Sequence, residues 1–140
     1  MNQEPVVEEF FRYKGYYCCV IFQPLGFRCG YVMVPNRHPA YEKNYRDLQL
    51  NCHGGLTFSD HTLVDTKFSG WWIGFDCAHT GDLIDVNSQM KYYGEKIQSS
   101  VFNYLNCAVG NDTTKGVVRS KNFCKWQCRN IVNQLEEMED

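Results

Sequence analysis

Residues 120–138, SKNFCKWQCRNIVNQLEEM, predict an amphipathic C-terminal helix that packs on one face of a sheet. Ser120 is a favoured N-cap residue type, and it directly precedes the periodic positions. The apolar positions follow the spacing of one helical stripe, and they are Cys124, Cys128, Ile131, Leu135 and Met138. This spacing makes both thiols core residues, whereas the opposite stripe of Lys121, Lys125 and Arg129 is typical of a solvated face.

Runs of aromatic and β-branched residues upstream of this helix predict strands. The predicted strands are 8–14, 16–23, 28–34, 48–52, 71–75 and 116–119. Gly15 splits the first two runs and predicts a hairpin, while 60–69 is expected to be irregular and 91–104 to contain a helix. The sequence therefore predicts a single α+β domain over residues 1–140, with an antiparallel or mixed sheet covered on one face by the C-terminal helix.

The composition argues against several classes of partner. A net charge of −2 favours neither direct nucleic-acid binding nor binding to an acidic membrane. The first eleven residues resemble no signal peptide, and no stretch reaches the ~18 apolar residues of a membrane helix. We therefore expect a cytoplasmic protein whose eight cysteines are mostly buried thiols. A disulfide scaffold is the alternative that their even number allows.

Two segments place titratable groups directly after apolar strands. The first is CHGGLT at 52–57, and the second is WWIGFDCAHTGD at 71–82. The glycine pair after His53 removes side chains and permits positive φ, so another backbone or a ligand can approach closely. These two segments together form the candidate functional site.

The candidate site has the residue types of a divalent-metal centre. Asp76, His79 and Asp82 recur every three residues, which places them on one side of a tight turn, and His53 reaches them from the first segment. Two imidazoles with one or two carboxylates fit zinc, and an octahedral divalent metal is the alternative where water completes the shell. Cys77 is the substitute for Asp76, and Asp82 is either a ligand or the acceptor that orients His79.

Ordinary structural roles compete with this interpretation. His53 and His79 could donate to buried carbonyl groups, and Asp76 could cap the turn after its strand. His38 and His61 are expected at the surface. The sequence lacks the phosphate-binding loop, the zinc-protease motif and the zinc-deaminase motif, which argues against a standard metalloenzyme.

The motifs HGGLT at 53–57 and GFDCAHTGD at 74–82 resemble those of small proteins encoded by bacteriophages and prophages, with a likeness that extends over 10–135. The chain is similar to zinc-containing anti-CRISPR proteins that block type II effector nucleases by direct binding. This resemblance implies a zinc cofactor, a host CRISPR effector as the partner, and the cytoplasm of the infected bacterium as the location. It supplies no catalytic residues.

Three functions are compatible with such a site. In the first, the metal holds loops together in a non-enzymatic binding protein. The interface of that protein uses the basic stripe of the C-terminal helix or the acidic end 136–140. In the second, the ion is catalytic, and the protein is a small hydrolase acting on a nucleotide or a nucleic acid, with Asp82 as general base. In the third, the protein sequesters a nucleotide in a pocket roofed by Trp72.

Overall fold

The computed structural model describes residues 4–63, 68–94 and 116–139. The strands are β1 (Val6–Tyr13), β2 (Tyr16–Phe22), β3 (Arg28–Val34), β4 (Phe58–Thr62), β5 (Ser69–Asp76), β6 (Asp82–Leu83) and β7 (Val117–Val118). The helices are α1 (Val86–Tyr93) and α2 (Lys121–Glu137). The first five strands form one antiparallel sheet in the order β1-β2-β3-β5-β4, while β6 and β7 form a short parallel pair. The α+β prediction, with a C-terminal helix on the sheet, is confirmed.

Helix α2 supplies one side of the main hydrophobic core. The Ser120 side chain accepts a hydrogen bond from the Phe123 N–H and so caps the first turn, as the sequence predicts. Four of the predicted stripe residues are fully buried: Cys124, Cys128, Ile131 and Leu135. They pack with side chains from β2, β3 and β5, chiefly Cys18, Val20, Val32, Val34, Ile73 and Phe75. The helix is therefore held by burial of this stripe rather than by helix propensity alone.

The opposite face of the sheet carries a second apolar cluster. Alternation along the strands directs Cys19, Ile21, Tyr31 and Trp72 to this face, and all four are buried there. Trp72 is the largest side chain in this cluster and is fully buried. The Trp72 ring lies on the side of the sheet away from α2, and nucleotide sequestration stays a prediction.

Most described cysteines are small buried core residues, as predicted. Within the described ranges, six cysteines are buried and Cys52 is half-buried. Burial raises the pKa of Cys18 and of Cys19 to about 12, so these thiols stay protonated at neutral pH. Protonated, buried thiols are poor nucleophiles and poor metal ligands.

Three sequence predictions of secondary structure need correction. Residues 48–52 form no strand, because the Asn51 backbone pairs with side chains of α2 instead of a neighbouring strand: its N–H donates to Gln134 Oε1 (2.8 Å) and its carbonyl accepts from Asn130 (3.1 Å). The stretch 60–69 is not wholly irregular, since β4 pairs with β5. The helix expected within 91–104 begins earlier, at Val86, and the part from 95 onward lies outside the described residues. Neither described helix has the length and apolar character needed to cross a membrane.

The expectation of a surface position is wrong for His38 and correct for His61. His38 is buried because both ring nitrogens bond to backbone groups: Nε2 lies 2.7 Å from the Leu135 carbonyl oxygen, and Nδ1 accepts from the Ala40 N–H at 2.9 Å. This histidine ties the end of α2 to the loop after β3. His61 is exposed and pairs with Glu42 at 2.6 Å.

Candidate metal centre

Three chain segments meet beside the first turn of α2. Strand β5 ends at Asp76, and the chain turns back so that the Asp82 N–H donates to the His79 carbonyl at 2.9 Å. Asp82 then begins β6, which pairs with β7 immediately before α2. The loop that carries His53 is fixed to the same helix, because the His53 N–H donates to Gln127 Oε1 at 3.0 Å.

Asp82 is the centre of this cluster. Its side chain is 1% exposed and accepts from Arg119 Nε at 2.8 Å and from the His79 N–H at 3.1 Å. His53 Nε2 lies 2.9 Å from both carboxylate oxygens. Burial alone would raise the pKa of Asp82, but the hydrogen bonds from Arg119, His53 and the His79 N–H outweigh burial and lower it. Asp82 is therefore an ionised carboxylate in a fixed position.

The two imidazoles contact each other beside the Asp82 carboxylate. The His53 and His79 rings are edge to face, with centroids 5.9 Å apart. The His53 ring also packs edge to face against Phe123 of α2, with centroids 5.2 Å apart. Both imidazoles reach solvent, with side-chain exposures of 17% for His53 and 35% for His79.

One nitrogen of His79 is buried without a partner. Although the side chain is partly exposed, Nδ1 is inaccessible and has no hydrogen bond within the described ranges. It points at Asp76 Oδ1, 3.5 Å away, and at Asp82 Oδ2, 3.7 Å away. A buried polar atom of this kind normally has a partner, and its position beside two carboxylates makes it a candidate ligand atom.

His53, His79 and Asp82 form a group that could hold a metal ion. Each offers one ligand atom, and these three atoms lie within 4.8 Å of one another. We refer to these three residues as the His–Asp triad. The sequence analysis placed all three in its candidate site, and the structure brings them together.

Asp76 and Cys77, the other predicted ligands, lie outside this mutually close set. Asp76 accepts from the Ala78 N–H at 3.1 Å and from Thr57 Oγ1 at 3.0 Å, so it caps the turn after β5. Cys77 is directed into the core, where its Sγ lies 3.7 Å from Cys124 Sγ. The contact with Cys124 and burial raise the pKa of Cys77 far above its ordinary value, which disfavours the thiolate that a metal needs.

Sequence reasoning missed Arg119. This residue pairs with Asp82 across 37 positions of the chain, and its guanidinium lies 5.0 Å from the centre of the Phe123 ring. The periodicity of apolar residues in a sequence reflects which side chains are buried, and it carries no information on ion pairs. No sequence pattern therefore identifies the contact between Arg119 and Asp82. The available signal was position alone, since Arg119 directly precedes the N-cap of α2.

No family model, curated protein or solved structure matches the chain. The functional interpretation therefore depends on the geometry of the His–Asp triad.

Gly54 lies directly against the His79 ring, so a substitution at Gly54 tests how closely the site is packed. A Cβ at Gly54 would lie 2.3 Å from His79 Cε1, whereas a Cβ at Gly55 would meet open space. Both residues have positive φ, 70° and 81°, so alanine at either position strains the backbone by about 1 kcal/mol. We expect Gly54→Ala to lower the free energy of unfolding by about 1–2 kcal/mol more than Gly55→Ala, measured by urea denaturation. Equal losses would mean that His79 moves away without cost.

Proposed function

We propose that this protein binds one divalent metal ion through the His–Asp triad, and that the ion is zinc. The observation that carries the proposal is the buried, unpartnered Nδ1 of His79, which faces the Asp82 carboxylate at 3.7 Å. A cation between these groups would satisfy Nδ1 and add a positive partner to a carboxylate that is already ionised. His53 supplies the third ligand from a separate loop.

The donor set favours zinc over harder cations. Imidazole nitrogen is a common zinc ligand, whereas Mg²⁺ and Ca²⁺ take mainly oxygen. Zinc bonds of ~2.0–2.1 Å in a tetrahedral arrangement separate neighbouring ligand atoms by about 3.4 Å. The distances of 2.9 Å from His53 Nε2 to Asp82 and 3.7 Å from His79 Nδ1 to Asp82 bracket this separation. All three ligand atoms lie within 4.8 Å of one another, so an ion would draw the side chains together.

Arg119 would support the ligand set without joining it. Its Nε donates to Oδ1 of Asp82, which leaves Oδ2 as the oxygen nearest to His79. Hydrogen bonds of this kind orient metal-binding carboxylates, and their loss typically lowers metal affinity about 10–100-fold.

Elemental analysis tests the proposal directly. After equilibration with zinc and removal of the free metal, we expect about one zinc ion per chain by mass spectrometry. His79→Ala should abolish this zinc, because it removes a ligand. His61→Ala is the matched control, since His61 is an exposed histidine that pairs with Glu42, and it should retain the metal. A wild-type protein without zinc, or equal zinc in both variants, contradicts the proposal.

We further propose that the metal centre serves the counter-defence role implied by the motif resemblance. In this role the ion would hold the His53 loop and the turn after β5 against α2, while exposed side chains of α2 contact a host effector. Trp126 is 60% exposed on this helix, and exposed Trp next to Arg129 is typical of interface hot spots. Lys121 and Lys125 contribute less, because both pair with Glu9.

Binding to a purified type II effector nuclease tests this role. We expect a stable complex on a sizing column, and Trp126→Ala should dissociate it while leaving the zinc content unchanged. The absence of any complex with the zinc-loaded protein would refute the counter-defence role and leave the metal site intact.

A metal-dependent hydrolase is the second candidate, and the exposure of the two imidazoles favours it. Three protein ligands with one solvent-facing position are typical of catalytic zinc, whereas structural zinc usually has four protein ligands. A zinc ion in such a site lowers the pKa of bound water. Asp76, which is 29% exposed and 3.5 Å from His79 Nδ1, would then be the general base in place of Asp82, since Asp82 is buried, bonds to Arg119 and belongs to the triad. Zinc-dependent cleavage of an activated phosphodiester, lost in His79→Ala, would support this function, and a zinc-loaded protein without turnover would refute it.

A further inference from the structure

Two arginines near the site differ in how completely their guanidinium groups are used. Arg28 is 5% exposed, and all three of its side-chain nitrogens bond to protein groups: Glu8, Asp85, Ser88 and the Arg119 carbonyl. Arg119 has a side chain that is 26% exposed, and within the described ranges only its Nε forms a hydrogen bond, to Asp82. Arg28 is therefore fully bonded within the protein, while the Nη groups of Arg119 have no hydrogen-bond partner among residues 4–63, 68–94 and 116–139.

The backbone holds this open guanidinium in place. The Arg119 carbonyl accepts from Arg28 Nη1 at 3.1 Å. The hydrogen bond from Arg119 Nε to Asp82 then fixes the guanidinium group on the side that faces the triad. The ring of Phe123 supports the guanidinium from one side at 5.0 Å. An arginine that is fixed at three points loses little further conformational freedom when it binds an anion.

The charge balance of the site favours an anion once a metal is bound. Asp76 and Asp82 contribute two negative charges, and Arg119 with a divalent ion contributes three positive charges. The site then carries one net positive charge beside partly exposed imidazoles. A guanidinium fork matches two oxygens of a phosphoryl group. An ion held by three protein ligands would have a further position for a third oxygen.

We propose that the solvent-facing side of the His–Asp triad binds the phosphoryl group of a small phosphate ester, with the Nη groups of Arg119 as donors. This inference rests on the proposed metal centre, and it names the ligand class of that centre. Arg119 is then a ligand-binding residue as well as a partner of Asp82.

Cobalt-substituted protein provides the test. Cobalt content is measured first, and the visible absorption of Co²⁺ then reports any ligand that enters its coordination shell. We expect both inorganic phosphate and adenosine monophosphate to change this spectrum, with the ester binding at least as tightly. Arg119→Gln should weaken binding of the ester by about tenfold or more, because a charged hydrogen-bonding fork is lost. Arg12→Gln is the control, since Arg12 is an exposed arginine on β1 that contacts the Tyr17 ring on β2, and it should leave the affinity unchanged.

Each other result overturns a defined part of the proposal. Cobalt-loaded protein that responds to neither anion refutes the phosphoryl site while the metal centre stands. A response to inorganic phosphate alone refutes the ester as ligand. If wild type and Arg119→Gln bind the ester with equal affinity, the role of Arg119 is refuted. If the glutamine variant binds no cobalt, Arg119→Lys takes its place in this comparison. A protein that takes up no cobalt or zinc refutes the metal centre and the phosphoryl site together.

Discussion

Arg28→Met is expected to lower the free energy of unfolding by about 3–5 kcal/mol, because it leaves two buried carboxylates without their cation. Arg28 contacts Glu8 at 2.5 Å and Asp85 at 2.9 Å, and the three side chains are 6%, 5% and 19% exposed. Methionine has a comparable length and removes only the charge and the donors. Urea denaturation at neutral pH measures the loss.

The control for this prediction is an exposed ion pair in the same protein. Lys14 and Glu136 pair at 3.3 Å with side-chain exposures of 42% and 47%, so Lys14→Met should cost less than about 1 kcal/mol. Combining Arg28→Met with Glu8→Leu should recover part of the loss, since the remaining apolar pair needs no counter-charge. If Arg28→Met costs no more than Lys14→Met, the buried network contributes nothing to stability.

The pH dependence of stability follows from the same network. Burial alone would raise the pKa of Asp85, but hydrogen bonds from Ser88 and Arg28 outweigh it and lower the folded-state pKa. The resulting stability is complete above the unfolded value of about 3.9 and is lost as pH falls through the folded-state pKa. We therefore expect the free energy of unfolding to fall less in Arg28→Met than in the wild type when the pH is lowered from 5 into the acid range. Urea denaturation at a series of pH values measures this difference.

Patterns that arise from burial were predictable from the sequence. The stripe from Cys124 to Leu135 repeats at the helical period because one side of α2 must face the sheet, and Ser120 marks its start because an exposed helix end needs an acceptor. Runs of aromatic and β-branched residues likewise indicated β2, β3 and β5. These features are local consequences of burial, and so they leave a signal in a short stretch of sequence.

Contacts between polar groups far apart in the chain left no such signal. Arg28 lies in a strand pattern that gives no hint of Glu8 and Asp85, and His38 looks like a loop residue until α2 ends beside it. The backbone of Asn51 pairs with helix side chains, which a strand pattern cannot distinguish from pairing with a neighbouring strand. At the site, the spacing of Asp76, His79 and Asp82 suggested that all three side chains share one face. The sequence does not show that β5 ends at Asp76 and that Asp76 therefore caps the turn instead of joining the triad.

Asp82→Asn is expected to remove metal binding and to destabilise the metal-free protein as well. Asparagine has the same shape, yet in either orientation its NH₂ group faces a donor, which is Arg119 Nε at the Oδ1 position (2.8 Å) or the His79 N–H at the Oδ2 position (3.1 Å). Hydrogen bonds to charged groups contribute ~1.5–3 kcal/mol each, and partial exposure of the partners reduces this, so we expect a loss of about 2 kcal/mol without metal. Urea denaturation in the presence of a chelator measures this component.

Metal binding adds a second component that the same variant should lose. Zinc at 100 times its Kd stabilises the folded wild type by ~2.7 kcal/mol if it binds the folded state alone. Asp82→Asn should show no such increase, so zinc should widen the gap between the two proteins. Asp76→Asn is the matched control: Asp76 also lies near His79 but outside the mutually close set, and this variant should retain most of the zinc stabilisation.

The acid limb of the stability curve provides an independent check on Asp82. Because its folded-state pKa is lowered, the wild type gains stability from this carboxylate above the unfolded value of about 3.9 and loses that stability as pH falls through the folded-state pKa. Asparagine does not titrate, so the difference between wild type and variant should shrink on acidification. A gap that is independent of pH would place the effect in packing rather than charge. The opposite result would be that Asp76→Asn loses the zinc stabilisation while Asp82→Asn retains it. That result would make Asp76 the metal ligand and Asp82 a structural partner of Arg119.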